Sequence, residues 1–287
     1  LRMVTLCILD LMYNKTLAVM KINLVYFLLT ATTLFGCQSN QGSDAVETSP
    51  AVAIQAPING TYNIVEIYPH NTSSFTQGLI WHNNTLYEGT GLTSQSKLFK
   101  TELATGKALQ TLSIADTLFG EGITIYNNKI YQLTWQNHKV LVYDVNTFKK
   151  EKELNWNYEG WGITHFNNQL IISTGTSNLY FVNPATLAIE KTLGVYDNNG
   201  YIASLNELEM IDGKIYANVW GENKIIAINP GTGQVEKQFD FTNILQKTNQ
   251  PITTETNVLN GIAYDSVGKA TYITGKNWPA IFKVTLQ

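Results

Sequence analysis

Cysteine is nearly absent from this chain. Only Cys7 and Cys37 occur among its 287 residues, so the stretch from residue 38 to residue 287 contains none. A disulfide, a thiolate nucleophile and a cysteine-ligated metal site are therefore excluded from that stretch. Its stability and its chemistry must come from other side chains.

Charged residues are also scarce. They make up 14% of the sequence, against roughly 25% in typical soluble domains. The formal net charge is -3, and the lysines and arginines form no basic run. Nucleic-acid binding requires clustered basic side chains that neutralise phosphates, so we expect no nucleic-acid partner. The 11% of aromatic residues and the 21 glycines favour a protein of strands and turns.

The most apolar stretch of the chain, from Ile22 to Gly36, is short for a transmembrane helix, which is the alternative interpretation. It follows Lys21 and ends at Cys37, in the sequence MKINLVYFLLTATTLFGC. This pattern is typical of a bacterial lipoprotein signal, in which the cysteine becomes the lipidated first residue of the mature chain. We therefore expect residues 20–37 to be a signal peptide and Cys37 to anchor the protein in a membrane.

The predicted signal sets the remaining boundaries. We interpret residues 1–19 as translated upstream sequence or a mis-set start. Residues 38–57 are polar and short of aromatics, which is typical of a flexible tether. We expect residues 58–287 to form the folded domain, on the periplasmic or cell-surface side of a membrane. The residue after Cys37 is Gln38 rather than an inner-membrane retention aspartate, which favours the outer membrane.

The domain contains a repeated hairpin pattern. An Asn-Asn or Asp-Gly pair stands between two short apolar runs in IWHNNTLY, IYNNKIY, HFNNQLII and MIDGKIY, at intervals of about 40 to 45 residues. Such pairs accept the positive φ angles of tight hairpin turns. A looser fifth copy is GIAYDSVGKATYIT, and a second hairpin follows each of the first four.

Four strands per unit at this period predict an all-β fold, a five-bladed β-propeller with four-stranded antiparallel blades. The last unit has room for only three strands before Gln287. We expect an N-terminal strand within Thr61 to Tyr68 to supply its fourth strand and close the ring. An open stack of sheets or a sandwich is the alternative, which the even period disfavours.

Two sets of repeat-equivalent positions are expected at one rim of the ring, because antiparallel partners bring the start of one strand beside the end of the next. Divergence at the rim of a repeated framework indicates a binding site. The first set is Gln77, Glu121, Trp161, Glu207 and Asn260. The second set is Gly91, Trp135, Gly175, Trp220 and Lys276.

Six stretches of this sequence resemble the glutaminyl-peptide cyclotransferases of the plant and bacterial type. They occur in the family's order and spacing and span almost all of residues 61–287. They are FTQGL (75–79), FGEG (119–122), LNELE (205–209), ANVWG (217–221), NVLNGIAYD (257–265) and TGKNWP (274–279).

The resemblance implies a five-bladed propeller that converts the N-terminal glutamine of peptides or proteins to pyroglutamate with release of ammonia, without a catalytic metal or cofactor. It implies Glu121 as the catalytic acid. The implied substrate-binding residues are Phe75, Gln77, Phe119, Trp135, Trp161, Asn206, Trp220 and Lys276. We predict no metal site, although a structural Ca²⁺ on the propeller axis is compatible with the fold, and we expect a monomer.

The residues fit this reaction. Aromatic walls can hold a glutamine curled, and one carboxyl can take a proton from the attacking amine and return it to the leaving nitrogen. Apolar neighbours would raise the pKa of Glu121, and we expect Gly120 and Gly122 to leave space for the substrate. Lys276 could stabilise an oxyanion or pair with Glu121 or Glu207. We interpret the four histidines as turn or surface residues: His70, His82, His138 and His165.

The sequence is also compatible with two other functions. One is a non-catalytic propeller lipoprotein whose face binds a protein partner, since fold alone does not settle function. The other is a propeller hydrolase in which Glu121, Glu207 and Asn260 surround an axial Ca²⁺. The first predicts tolerance of Glu121→Gln, and the second predicts loss of activity with a chelator.

Overall fold

Strands account for most of the ordered backbone in the computed structural model, which describes residues 53–287. The predicted signal peptide, Cys37 and most of the predicted tether lie outside these residues. Two strands, β1 (Ile58–Asn59) and β2 (Tyr62–Pro69), begin the described part. No helix within it is both long and apolar enough to cross a membrane.

The first three blades follow in chain order, and all their neighbouring strands are antiparallel. Blade 1 contains β3 (Thr76–His82), β4 (Thr85–Thr90), β5 (Lys97–Glu102) and β6 (Lys107–Ser113). Blade 2 contains β7 (Gly120–Tyr126), β8 (Lys129–Thr134), β9 (Lys139–Asp144) and β10 (Lys150–Asn155). Blade 3 contains β11 (Ile163–Phe166), β12 (Gln169–Ser173), β13 (Asn178–Val182) and β14 (Ile189–Gly194).

The last two blades are separated from blade 3 by a small hairpin, β15 (Tyr196–Asp197) and β16 (Gly200–Tyr201), and from each other by the short helix α1 (Ile244–Lys247). Blade 4 contains β17 (Leu205–Ile211), β18 (Lys214–Val219), β19 (Lys224–Ile228) and β20 (Val235–Asp240). Blade 5 contains β21 (Leu259–Asp265), β22 (Ala270–Gly275) and β23 (Ala280–Leu286).

The N-terminal strands complete these two blades. β2 pairs antiparallel with β23 as the fourth strand of blade 5, from Tyr62 opposite Leu286 to Pro69 opposite Ala280. β1 adds to β20 in parallel as a fifth strand of blade 4. The predicted five-bladed propeller, closed by an N-terminal strand, is confirmed.

The predicted turn residues have the backbone angles that tight hairpins require. Asn83 and Asn84 have φ of 48° and 57°, and Asn127 and Asn128 have φ of 49° and 58°. Glycine or asparagine tolerates this left-handed region at little cost, which explains the recurring pairs.

The core is divided among the five junctions between adjacent blades. Ile80 and Tyr87 of blade 1 pack on Ile123 and Leu141 of blade 2, and four further clusters fill the other junctions. Leu79 and Leu86 pack on Ala263, Tyr272 and Ile281 between blades 1 and 5. Each blade therefore buries both of its faces against its neighbours.

Candidate active site

A cavity of about 460 Å³ opens on the face where the first strand of each blade begins. All nine residues predicted to bind substrate or act as the catalytic acid lie in its lining, together with one further residue. The ten are Phe75, Gln77, Leu92, Phe119, Glu121, Trp135, Trp161, Asn206, Trp220 and Lys276.

Strand register explains why distant residues meet there. Gly120, at the start of β7, pairs with Thr134, at the end of β8. Glu121 is the residue after Gly120, and Trp135 directly follows β8, so both lie at the same rim. The corresponding pairs in blades 1, 4 and 5 are Thr76–Thr90, Leu205–Val219 and Leu259–Gly275. The second predicted set of rim positions therefore holds in full.

The first predicted set is wrong at one position. Because Leu205 corresponds to Gly120, the residue equivalent to Glu121 in blade 4 is Asn206, and Glu207 follows one position later. A bulge between Leu205 and Leu208 turns the two side chains differently. Asn206 lines the cavity, whereas Glu207 does not.

Glu207 instead fills the propeller axis. Its equivalents in the other blades are glycines, and its carboxylate accepts the N–H of Leu79 at 3.3 Å and that of Ile262 at 2.9 Å. Burial raises the pKa of Glu207 well above its ordinary value, and the charge of Glu209 raises it further. Glu207 therefore joins blade 4 to blades 1 and 5. Among residues 53–287, no group of three or more His, Asp or Glu side chains is arranged to hold a metal ion.

The predicted role of the glycines beside Glu121 is also wrong. A Cβ on Gly122 would lie 2.6 Å from the carbonyl oxygen of Trp161 in the segment leading into blade 3, and one on Gly120 would lie 2.9 Å from the carbonyl oxygen of Thr90 in blade 1. These glycines permit close approach of neighbouring blades rather than leaving space for a substrate.

Four polar side chains form the floor of the cavity. Gln77, Glu121, Asn206 and Lys276 are each no more than 5% exposed. Gln77 Oε1 accepts a hydrogen bond from Asn260 Nδ2 at 3.4 Å, which leaves the Gln77 amide donors free to turn toward the cavity. Asn206 Oδ1 is buried and has no hydrogen-bond partner among residues 53–287. The floor thus offers both donors and acceptors to a bound molecule.

The two ionisable groups of the floor are each pushed toward their neutral form. Burial raises the pKa of Glu121 well above its ordinary value, with Lys276 opposing the shift. Burial lowers the pKa of Lys276 to about 8, with Glu121 opposing it. The two side chains make no direct salt bridge within the described part of the chain, so the predicted pairing is not a contact ion pair.

The walls of the cavity are aromatic. Phe119 meets Phe75 at 6.5 Å and Trp135 at 5.6 Å between ring centres, in edge-to-face arrangements. Trp161 meets Trp220 at 6.1 Å in the same manner. Trp135 and Trp220 remain 37% and 51% exposed, which places them at the mouth.

Two residues of this region were not predicted from the sequence. Leu92 lies in the wall with a φ of 80°, unusual for leucine, and its carbonyl accepts the Ser96 hydroxyl at 2.8 Å. Glu159 lies beside the cavity and contacts two of its tryptophans. Neither occupies one of the repeat positions that were compared, and the only sequence signal for Glu159 is its place two residues before Trp161.

The prediction that all four histidines lie at turns or on the surface is wrong for His70. Its side chain is 3% exposed, and Nε2 lies 3.0 Å from Glu88 Oε1. Glu88 also accepts the hydroxyls of Ser74 and Thr76. These buried contacts fix Ser74 and Thr76, and thereby the positions of their neighbours Phe75 and Gln77, which line the cavity.

The chain is similar to several known proteins. A sequence model of the glutamine cyclotransferase family matches residues 29–286. The chain is 33% identical over 226 residues to a glutaminyl-peptide cyclotransferase from Arabidopsis thaliana, covering 78% of this chain and 71% of the relative. The crystal structure of Myxococcus xanthus glutaminyl cyclase superposes with a TM-score of 0.74 at 31% identity, covering 80% of this chain and 98% of that one. The chain belongs to the glutamine cyclotransferase family.

Proposed function

We propose that this protein is a glutaminyl-peptide cyclotransferase that closes the N-terminal glutamine of peptides or proteins into pyroglutamate and releases ammonia. The observation that carries the proposal is the buried Glu121 carboxyl at the floor of an aromatic cavity. Family membership and the names of the two relatives support it.

The cavity suits a substrate that reacts with itself. In the proposed reaction, the α-amine of the glutamine attacks its own side-chain carbonyl, so the protein must hold one side chain curled. Orientation of this kind contributes several kcal/mol in well-aligned reactions. Phe75, Phe119 and the three tryptophans would grip the methylene groups and displace water from them.

Glu121 would move the proton. The amine loses a proton as the carbon–nitrogen bond forms, and the departing nitrogen gains one as its bond to the same carbon breaks. A carboxyl whose pKa is raised by burial can both accept and return that proton. The net products are the lactam and ammonia, and Glu121 ends in its starting state.

Lys276 and Gln77 would stabilise the intermediate. The attacked carbonyl oxygen becomes negative, and Lys276 and the Gln77 amide can donate hydrogen bonds to it from the cavity floor. Asn206 Oδ1, which has no hydrogen-bond partner in the described part of the chain, would accept an N–H of the substrate. In this proposal every step is assigned to side chains of the chain, so we expect activity to persist in a chelator.

The test uses the full chain, purified in mild detergent, and a peptide that begins with glutamine. Mass spectrometry should show loss of ammonia with wild type, and Glu121→Gln should lower kcat by about 10²- to 10⁴-fold. The same peptide beginning with leucine is the control for substrate chemistry. An intact glutamine peptide across a range of pH would exclude the proposal and favour a protein-binding propeller. Activity abolished by a chelator would favour the metal-dependent alternative.

The pattern of residues 20–37, which lie outside the described part of the chain, leads to a second proposal, on export and anchoring. We propose that Cys37 is lipidated and holds the protein on the outer membrane. Expression in a bacterium fed a labelled fatty acid tests this, with Cys37→Ala as the matched control. Label retained by Cys37→Ala would contradict the assignment. Sedimentation of the purified protein would test the expected monomer.

A further inference from the structure

The loop between β10 and β11 carries a carboxylate that lies beside the cavity but outside its lining. Glu159 Oε2 accepts a hydrogen bond from the indole Nε1 of Trp135 at 2.8 Å and a second from that of Trp161 at 3.1 Å. Trp135 follows the second strand of blade 2, and Trp161 precedes the first strand of blade 3. One oxygen atom therefore joins cavity walls from two blades.

The other contacts of Glu159 hold the carboxylate in place. Oε1 accepts the Gln136 amide at 3.0 Å. The backbone carbonyl of Glu159 accepts the Trp156 indole at 3.3 Å, and the next residue, Gly160, donates its N–H to the Trp135 carbonyl at 3.2 Å. Both the side chain and the backbone of Glu159 are thus fixed relative to the tryptophans.

These contacts keep Glu159 ionised. Partial burial raises the pKa of Glu159, but the hydrogen bonds from Gln136, Trp161 and Trp135, with the nearby His138, outweigh it and hold the pKa below the ordinary value. A charged acceptor also makes stronger hydrogen bonds than a neutral one. The two indoles are therefore bonded to a carboxylate at neutral pH.

Trp135 in particular needs such a partner. It is 37% exposed, so neighbouring side chains do not enclose it and its ring could otherwise adopt other rotamers. A wall that changes rotamer cannot hold a small side chain in one reactive geometry. The shared carboxylate removes this freedom from Trp135 and couples it to Trp161.

Glu159 also acts on Glu121 through its charge. Burial is the main cause of the raised pKa of Glu121, Lys276 opposes it, and Glu159 adds to it. A negative charge outside the cavity thus favours the protonated form of the carboxyl inside it.

We propose that Glu159 is a positioning residue, which fixes the indoles of Trp135 and Trp161 as substrate-gripping walls. The inference rests on the proposed cyclotransferase activity. Glu159 lies outside the cavity lining and acts through these two tryptophans.

Two variants separate the hydrogen bonds of Glu159 from its charge. Because both indoles bond to one oxygen, the amide oxygen of Glu159→Gln can accept both bonds while the charge is lost. Glu159→Ala loses both bonds and the charge. Glu102→Gln is the matched control, because Glu102 is an exposed carboxylate whose hydrogen bond is to Thr105, in a turn of blade 1.

The kinetic measurements use the full chain and the glutamine peptide. We expect Glu159→Ala to raise KM by about 5- to 30-fold, since two hydrogen bonds to a charged group are lost. We expect Glu159→Gln to keep KM within about threefold. In Glu159→Gln, the limb of the kcat–pH profile that is set by Glu121 should move to lower pH, because removal of a negative charge makes the Glu121 carboxylate easier to form. Glu102→Gln should match wild type.

Tryptophan emission of the free protein gives a readout that is independent of activity. We expect it to change in Glu159→Ala, because two indole N–H groups lose their acceptor, and to stay unchanged in Glu102→Gln. A wild type that releases no ammonia would overturn the proposed function, and the emission would still test the contact. An active wild type together with Glu159→Ala of unchanged KM, pH profile and emission would overturn this inference alone.

Discussion

The Lys276 ammonium lies 4.8 Å from the centre of the Phe75 ring. Lys276 follows β22 in blade 5, and Phe75 precedes β3 in blade 1, so the contact crosses the junction between these two blades. An aromatic face stabilises a cation most where water is excluded. Phe75 therefore supports the charged form of a lysine whose pKa burial has lowered to about 8.

Phe75→Leu should move the alkaline limb of the kcat–pH profile to lower pH. Loss of the ring removes an interaction with the ammonium, so the pKa of Lys276 falls further, by roughly half a unit to one unit. Phe119→Leu is the control, because Phe119 lines the same cavity and, within residues 53–287, the ring that the Lys276 ammonium lies over is that of Phe75. An alkaline limb that stays in place in Phe75→Leu would show that Lys276 charge does not govern it.

His70→Gln should reduce stability more at acidic than at alkaline pH. Burial lowers the pKa of His70, but the charge and hydrogen bond of Glu88 outweigh this and raise the pKa above 6.5. The pair therefore contributes stability that is fully present below pH 6.5 and is lost as the pH rises through the folded-state pKa. Unfolding in urea at several pH values measures the difference between wild type and variant.

His165→Gln provides the opposite control. Burial lowers the pKa of His165, so protonation of this residue at acidic pH opposes folding. The stability of His165→Gln relative to wild type should therefore rise as the pH falls. The same trend in both variants would contradict the assignment of the His70–Glu88 pair.

Glu207→Ala should destabilise the propeller. The variant leaves the N–H groups of Leu79 and Ile262 without an acceptor, and each unpaired buried group costs roughly 1–3 kcal/mol. The free energy of unfolding in urea should fall by at least about 2 kcal/mol. Glu255→Ala, at an exposed position, is the control. Equal stability of Glu207→Ala and wild type would mean that the axial contacts contribute nothing.

Gly162→Ala should reduce stability by roughly 1–3 kcal/mol or more, because an added Cβ would lie 2.0 Å from the Asn206 carbonyl oxygen and 2.8 Å from Glu207 Cα. Both contacts are with backbone that cannot move without shifting blade 4. In Gly231→Ala the nearest atom is a side-chain oxygen at 3.2 Å, so this control should unfold like wild type. Thermal unfolding compares the two, and equal midpoints would contradict the close approach.

The sequence was sufficient to predict much of the fold and the composition of the candidate site. The turn pairs at Asn83 and Asn127 repeat because few residues tolerate their φ angles, and this sets the period. Once the period is known, the antiparallel pairing within each hairpin is enough to place Glu121 and Trp135 at the same rim. Nine of the ten lining residues were predicted in this way or from the family motifs, and Leu92 was not.

Blades 2 and 4 share the same bulge, and Asn206 lies six residues before Asp212, as Glu121 lies six before Asn127. The error at Glu207 came from matching the two acids instead of counting from the turn pair. The remainder depends on local geometry that a repeat pattern does not carry. His70 is buried between Glu88 of blade 1 and the Trp278 carbonyl of blade 5, and the second of these contacts spans 208 residues of sequence. Glu159 lies in an irregular loop, and its contacts with two tryptophans depend on how blades 2 and 3 pack.

The pairing of β2 with β23 has a consequence for the order in which this protein folds during synthesis. β2 is made more than 200 residues before its partner, so its pairing edge stays open while blades 1 to 4 emerge. Contacts this distant in sequence form slowly, and an open strand edge can pair with another chain in the meantime. Although β2 is among the first strands synthesised, it can pair only after β23 has been made. Closure of the propeller therefore depends on synthesis of blade 5, the last blade.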